Sequence, residues 1–500
     1  MERAPLVALV LLLAAGGVRG QEPPEAPAPL EVSAPAVPVD PVGAVAPEEP
    51  GAGPTPGAAA LDLGAAVRVA LERNFSLLDF TDAVSASRWQ ESAARGEFLP
   101  QVVPLFQRGE GRTLFGLDVS QRLPWTGGTL VATGRYVSEP DLEVKTPFPR
   151  STDLGLILSQ PLLKGAGPNA TYFNLTNAER AVVTQRRSLE LARQRLAVQV
   201  AAAYYAVVAQ RQLFEVADQS LRRTEGLLDA SDARLKVGMA SKLDVFRAEL
   251  QAAQAREGMI RSRAALETAL EQFRGILALP PDDLVEPKTV ELAVPEGGEE
   301  EPVEMLVQRA LDHRLELKEA RDRVNDARRT ASLARQNLLP QVDLNLGVTQ
   351  LGFGRSFGDT WRGADRQVQF FVSASYPFQR ATEKANRAVS EIQVQARERG
   401  VQQLELEVER EVYRAHRELD RIRKSVEVQE QAVEVAAQQR RLAVLRYQRG
   451  LASNFDVVDA ESSYVVSRSA LVGLLTSYEV ARLELRRVTG TLSVDTEFAP

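Results

Sequence analysis

Apolar residues along this chain follow two periods, one helical and one of alternation. From about Ala381 to Tyr447 there is no proline and a single glycine, Gly400. Within that stretch Val408, Val412, Ala415, Leu419, Ile422, Val426, Gln429, Val433 and Ala436 recur at alternating steps of four and three. That spacing defines a coiled-coil seam. At 1.5 Å per residue such a helix reaches roughly 100 Å, longer than any globular core requires. Tyr464, Ser467, Leu471, Leu474, Tyr478, Ala481, Leu485 and Val488 repeat the pattern after a turn, and the small residues among them let helices approach closely. An earlier pair runs from about Asn169 to Leu235 and from Ser241 to Leu277. The chain therefore predicts two hairpins of long antiparallel helices.

Alternation appears where the long helices begin. Val342, Leu344, Leu346 and Val348 are interleaved with Asp343, Asn345, Gly347 and Thr349, and Val368, Phe370, Val372, Ala374 and Tyr376 alternate mainly with polar residues. One apolar and one polar face suit either a half-buried soluble hairpin or membrane strands of about 9–11 residues with lipid on one side. Earlier candidates lie near Thr113 to Leu123, Thr129 to Val137 and Thr152 to Gln160, with Trp125-Thr126-Gly127-Gly128 as the turn between the first two.

The chain is duplicated. Phe98-Leu99-Pro100-Gln101-Val102 recurs as Leu338-Leu339-Pro340-Gln341-Val342, and the ten residues from Lys236 to Val245 align without a gap with Gln448 to Val457. Each copy runs through short helices, strands, a very long helix, a turn and a long helix. The first copy covers 61–278, with helices in 62–97, strands within 100–162 and helices in 166–278. The second covers 303–492, with helices in 303–337, strands within 340–378 and helices in 380–490. An acidic, Pro-rich linker, 279–302, joins them, and 493–500 forms a tail. From Pro100 to Pro161 the first strand region spans 61 positions and from Pro340 to Pro377 the second spans 37, a difference of 24. That is about two membrane strands and a turn.

Composition narrows the function. The N-terminus, Met1-Glu2-Arg3 followed by an apolar stretch to Ala15 and small residues ending at Gly20, has the form of a secretory signal peptide over 1–20. The Pro/Ala-rich segment 21–60 is too poor in bulky apolar residues to fold and reads as a disordered leader. After the signal no window approaches the roughly 20 consecutive apolar residues of a membrane helix, so a membrane would be crossed with strands. There is no cysteine, and the net charge is -7. The first removes disulfides and an N-terminal lipid anchor, and the second argues against a nucleic-acid partner. His313 and His416, the two histidines, sit in charged helical surroundings and make no metal site without cysteine. Gly352-Phe353-Gly354 opens no helix and reads as a turn in the loop between strands, not as a phosphate cradle. No catalytic constellation or cofactor motif emerges, which points away from an enzyme.

Together, the helix-ending Leu-Pro-Gln at Leu99 to Gln101 and Leu339 to Gln341, the strand exits Gln160-Pro161 and Tyr376-Pro377, and the paired Gly-x-x-Ser turns at Gly238 and Gly450 resemble the TolC-type outer-membrane efflux protein family, over Leu61 to Leu492. The resemblance implies a mainly α fold with a transmembrane β-barrel contribution. Three subunits of such proteins share one barrel in outer-membrane lipid, commonly of twelve strands with four from each, and their hairpins close a periplasmic α-barrel. It implies a homotrimeric, passive conduit of a tripartite efflux or type I secretion system, docked to a periplasmic adaptor and through it to an inner-membrane pump. The extra 24 positions depart from this plan and would enlarge the barrel or form an accessory hairpin. A periplasmic coiled-coil adaptor or scaffold is the competing reading, opposed by the duplicated hairpin and by strands of membrane length.

Candidate functional residues gather at the turns. Asp244 and Asp456 stand three residues after Ser241 and Ser453, a capping-box spacing that accounts for both as helix caps. The resemblance adds that Asp456 and Asp459 form an acidic ring at the periplasmic entrance, that Asp244 and Tyr447 help to latch it, and that the turns carrying Gly238, Met239, Gly450 and Leu451 meet the adaptor. Ala452 stands where the family's latch arginine is expected, leaving Arg446 or Arg449 as substitutes.

Overall fold

The computed structural model describes residues 59–109, 111–139, 148–290, 292–294, 301–362 and 364–498. The expected signal peptide, the leader up to residue 58 and part of the acidic linker lie outside the described residues.

The first copy begins with strand β1 (Ala59–Leu61) and helices α1 (Leu63–Arg73) and α2 (Phe75–Gly96). Asp62 starts α1 by accepting the Ala65 amide at 2.6 Å, filling a bond the helix itself leaves open. Pro100 ends this helical run, and the strands β2 (Gln101–Gly109), β3 (Arg112–Arg122), β4 (Thr129–Ser138) and β5 (Arg150–Pro161) follow. A short α3 (Pro168–Thr171) leads into α4 (Phe173–Lys236), which turns into α5 (Lys242–Ile276). The linker contributes β6 (Val285–Pro287), which pairs in parallel with β1. Two residues of the expected leader, Ala59 and Ala60, thus belong to a strand.

The second copy has α6 (Val303–His313), α7 (Leu315–Gln336), β7 (Gln341–Gly354), a short α8 (Phe357–Arg362), β8 (Asp365–Ser375), α9 (Ala381–Gln448) and α10 (Asn454–Val488), with α11 (Val494–Glu497) in the tail. At 68 residues α9 is about 100 Å long. Partners on α4 and α5 diverge from the turn in opposite directions: Arg256 meets Glu225 at 2.6 Å, and Tyr204 meets Phe273 at 6.1 Å between centroids. The same holds for α9 and α10, where Gln429 donates to the Ser467 carbonyl at 2.9 Å and Arg487 meets Glu411 at 3.3 Å. Both pairs are antiparallel.

Burial follows the seam in α9, where Val408, Val412, Ile422, Val426 and Ala436 are buried. In α10 the buried set is wider than the predicted stripe: Val472, Leu475, Glu479 and Leu483 join Leu471, Tyr478 and Val488. The reason is that α10 packs on α4 as well as on α9, so one stripe cannot serve both neighbours. The main core lies where α1 meets α4, α5 and α10, around Val67, Val200, Tyr204, Phe273 and Leu277. Ala197 and Ala201, fully buried, keep that approach close. The tail closes the core with Leu492, Val494 and Phe498, and Arg68 donates to the Phe498 carbonyl at 3.0 Å. A smaller core joins α6 and α7 to α9 through Leu306, Ala310, Leu317, Val408 and Val412.

Among the described residues six strands form one antiparallel sheet in the order β2-β3-β4-β5-β7-β8. The two stretches predicted by alternation are β7 and β8, and the three earlier candidates are β3, β4 and β5. The edge strand β2 escaped prediction because Val102-Val103-Pro104-Leu105-Phe106 is apolar on both faces and carries a proline, which an edge tolerates. Gly352-Phe353-Gly354 is the end of β7 and not a loop; α8 packs so closely on it that a Cβ at Gly352 would stand 1.7 Å from the Thr360 carbonyl oxygen. Register places Phe106, Phe115, Tyr136, Leu156, Leu346 and Phe370 on one face, with Phe106, Phe115, Leu156, Leu346 and Phe370 exposed. Asp118, Arg135, Asp153, Asn345 and Gln369 occupy the other.

Ile422 tests the core. Ile422→Asp puts an unpaired charge at a buried seam position, at a cost on the order of 3 kcal/mol or more. Folded yield and thermal midpoint should both fall, whereas Glu430→Gln on the exposed face should leave them unchanged.

Candidate functional site

Both long pairs turn through the same construction. α4 ends with Gly238 at φ 76 and α9 with Gly450 at φ 73, a left-handed conformation in which a side chain is strained. Met239 and Leu451 return their amides to the Arg234 and Arg446 carbonyls at 2.8 Å, while Gly238 and Gly450 bond Leu235 and Tyr447 at 3.0 Å. These paired bonds satisfy the last free carbonyls of each helix.

Capping boxes then start the returning helices. The Ser241 hydroxyl accepts the Asp244 amide at 3.2 Å, and the Asp244 carboxylate accepts the Ser241 amide at 3.0 Å. Ser453 and Asp456 repeat this at 3.4 and 2.7 Å. The Ser241 hydroxyl and then its amide hold the Asp244 carboxyl below the usual range, and the Ser453 amide and then its hydroxyl do the same for Asp456. Asp459 lies one turn further along α10 and is exposed.

The two turns sit side by side. Arg234 lies over the Tyr447 ring, 4.0 Å from its centroid, and donates to the Tyr447 carbonyl at 2.7 Å. The buried Tyr447 hydroxyl meets Ser231 Oγ at 3.1 Å. Asn454, also buried, donates from Nδ2 to Ser231 Oγ at 3.1 Å and to the Asp244 carbonyl at 2.9 Å. Tyr447 and Asp244 are therefore joined through Ser231 and Asn454 and not directly, since the Asp244 carboxylate serves its own cap. The arginine that lies against Tyr447 is Arg234 on α4. The alignment of the copies sets Asn454 against Lys242 and Tyr447 against Leu235, and that divergence is the sequence signal that marks the junction.

A second cluster lies further from the turns. The carboxylate of Glu461, 5 % exposed, takes Arg223 Nε at 2.9 Å and stands 3.9 Å from Arg440. Arg440 in turn lies over Tyr464, 3.9 Å from the ring centroid. The aligned residue of the first copy, Glu249, is exposed. One burying contact has thus been built in one copy only, tying α4 to α9 and α10.

Around the turns, Val237, Met239, Leu243, Phe246, Leu250, Leu451 and Phe455 leave large apolar side chains exposed. Among the described residues no three histidine, aspartate or glutamate side chains converge in a way that could hold a metal ion, and no helix is long and apolar enough to cross a membrane.

Comparison with known proteins bears on what such a site serves. The family model described as "Outer membrane efflux protein" matches residues 66–279 and 306–491. The outer membrane efflux protein BepC of Brucella suis biovar 1 (strain 1330) is 29 % identical over 152 residues, 30 % of this chain and about a third (33 %) of BepC. Among solved structures, the channel protein CusC superposes with a TM-score of 0.65 at 18 % identity, over 87 % of this chain and 93 % of CusC. The outer membrane protein VceC of Vibrio cholerae gives 0.65 at 16 %, over 86 % and 96 %. At such identities the structural matches establish the fold.

Two outcomes test the site. Glu461→Gln leaves Arg223 and Arg440 without their buried counter-charge; with Arg223 itself a third exposed, the loss should be about 1–3 kcal/mol in denaturant unfolding, against at most about 0.5 for Glu249→Gln. The capping boxes carry a pH signature. Because the folded pKa of Asp244 and Asp456 is depressed, their contribution is present above the unfolded carboxylate value of about 4 and is lost as pH falls through the lower folded value. Amide exchange at Ser453, whose amide the Asp456 carboxylate accepts, should quicken in Asp456→Asn at neutral pH, and mutant and parent should converge in strong acid.

Proposed function

The chain belongs to the outer membrane efflux protein family, and we propose that three copies form the outer-membrane channel of a tripartite efflux or type I secretion system, a passive conduit across the periplasm and outer membrane. The observation that carries this reading is a sheet with one exposed apolar face and one polar face, continuous at one end with helices of about 100 Å. An apolar face of that size belongs in lipid, and the polar face then lines water. A periplasmic adaptor or scaffold has no use for such a sheet.

In this reading the sheet stands in the outer membrane and the antiparallel helical pairs of three subunits close an α-barrel in the periplasm. The seams of α9 and α10 and the packing of α10 on α4 supply most of the wall within one subunit. The turns at Gly238 and Gly450 lie at the end remote from the sheet, where a periplasmic adaptor reaches them and links the conduit to an inner-membrane pump. The exposed apolar side chains of Met239, Phe246, Leu451 and Phe455 support docking there, because unpaired apolar surface at a helical tip is stabilised by a partner. The conduit performs no catalysis of its own.

Threefold symmetry brings three copies of Asp456 and Asp459 near the axis, concentrating negative charge in confined water. Asp456 has a second duty as a cap, whereas Asp459 is matched by Arg247 in the first copy and serves no cap.

Planar-bilayer recording tests the ring. Asp459→Asn should reduce cation preference and weaken block by multivalent cations, with helix content and trimer stability unchanged; unchanged selectivity would remove Asp459 from the pore. For docking, Met239→Glu combined with Leu451→Glu should abolish export while the trimer stays in the membrane. Normal export by that variant would move the adaptor surface elsewhere.

A further inference from the structure

Building on the channel reading above, we propose that each subunit contributes six strands to the barrel, that β8 of one copy pairs with β2 of the next, and that three copies close a ring of eighteen strands.

The inserted pair β3 and β4 is the first ground. It is an integral part of the sheet: β2 pairs with β3 along its whole length, β3 with β4 from Thr113 to Arg122, and β4 with β5 throughout. Its apolar face, Phe115, Leu117 and Val119 with Leu130, Ala132 and Tyr136, continues the band on the neighbouring strands. The turn between the two strands is fastened at the end of the sheet that adjoins the helices. The Thr126 carbonyl accepts the Gly167 amide at 3.3 Å and Gln160 Nε2 at 3.0 Å, and Trp125 stands edge-on to Tyr172 at 5.8 Å. Gly127, at φ 77, lies so close to α3 that a Cβ would stand 2.7 Å from Thr171 Oγ1. An accessory hairpin outside the barrel would have none of these ties.

The second ground is the stagger of the strands. Following paired residues straight across the sheet leads from Gln101 through Ser120, Val131, Ile157 and Gly347 to Gln369. Gln101 is the first residue of β2, but Gln369 lies six residues before the end of β8 at Ser375. A drift of six residues, about 20 Å, over five strand spacings, about 24 Å, tilts the strands by about 40°. Barrels require tilts of about 35–45°. Eighteen strands at that tilt make a backbone ring roughly 36 Å across, against roughly 24 Å for twelve.

The third ground is the pair of edges. β2 runs away from the helices and β8 returns toward them, so their union across two copies is antiparallel like every other pairing in the sheet. Side chains of β8 are exposed along its whole length, and those of β2 at all positions except Leu105. Unpaired edges cannot remain in lipid, where backbone groups have no water to bond, and a second copy is the occupant whose edge matches in direction and apolar face.

The protein's lack of cysteine makes cross-linking clean. Ser373→Cys would be combined in turn with Val103→Cys, Leu105→Cys and Gln107→Cys, which share the polar face and cover neighbouring registers. Oxidation of the membrane-embedded trimer should give covalent dimers and trimers in at least one combination, and electron microscopy should count eighteen strands. Bonding of Ser373→Cys to Thr133→Cys instead would show that β8 closes on β4, leaving β2 and β3 outside. That result, or a membrane trimer without any cross-link and with fewer strands, overturns the six-strand proposal and leaves the channel reading intact. A protein that forms no membrane trimer at all would overturn both.

Discussion

The architecture depends on one requirement, that backbone amides and carbonyls be hydrogen-bonded wherever water is missing. In hydrocarbon this leaves only helices or closed sheets. Among the described residues no helix is apolar enough to cross; in the proposed reading it is the sheet that stands in the membrane and a second copy that meets its edge strands β2 and β8. Antiparallel pairing and side-chain alternation then decide most of the rest, since a strand between lipid and water carries one apolar and one polar face; the edge strand β2 is the exception. The same requirement acts at the far end in a milder form. There the last carbonyls of α4 and α9 and the first amides of α5 and α10 are satisfied locally by glycine turns and capping boxes. The turns are therefore self-contained, and their exposed side chains remain available.

Helices near 100 Å long raise a different problem, because burial on one stripe must hold over their whole length. In α9 that is met by a seam of Val, Ile and Ala. In α10 two stripes are needed, one for α9 and one for α4, and Glu479 falls among the buried positions. Burial pushes its carboxyl above the usual range, while Arg482 at 2.8 Å opposes the shift. The core at α1, α4, α5 and α10 is the larger of the two, and the tail is folded into it through Phe498.

Much of this plan was legible in the sequence, for particular reasons. Alternating steps of four and three located α9 and α10, because only a helix packed along its whole length keeps such a seam over many turns. The duplication was visible because turn chemistry tolerates little variation: both copies keep the left-handed glycine and the Ser/Asp box. β2 was invisible because its side chains do not alternate, and the second stripe on α10 was hidden because it becomes buried only against α4. The junction of Ser231, Arg234, Tyr447 and Asn454 was half legible. Tyr447 was singled out, but its partners come from two other helices, α4 and α10, and no linear spacing unites them.

Divergence between the copies is where the fold acquires direction. Two equal copies would hold α4 and α5 against their neighbours in the same way. Here α4 is bound to the second copy at three levels: Arg187 to Glu319 and Asp322 on α7 at 3.0 and 2.8 Å, Arg223 to the buried Glu461, and Arg234 to Tyr447. Near its start α5 meets the second copy through Asn454 donating to the Asp244 carbonyl, a neutral bond. Charge-assisted bonds are roughly twice as strong as neutral ones, and a buried carboxylate between arginines is costly to separate from them. The pair α9 and α10 is thus tied to α4 by charge-assisted bonds, whereas the start of α5, with Leu243, Phe246 and Leu250 exposed, meets the second copy through a neutral one.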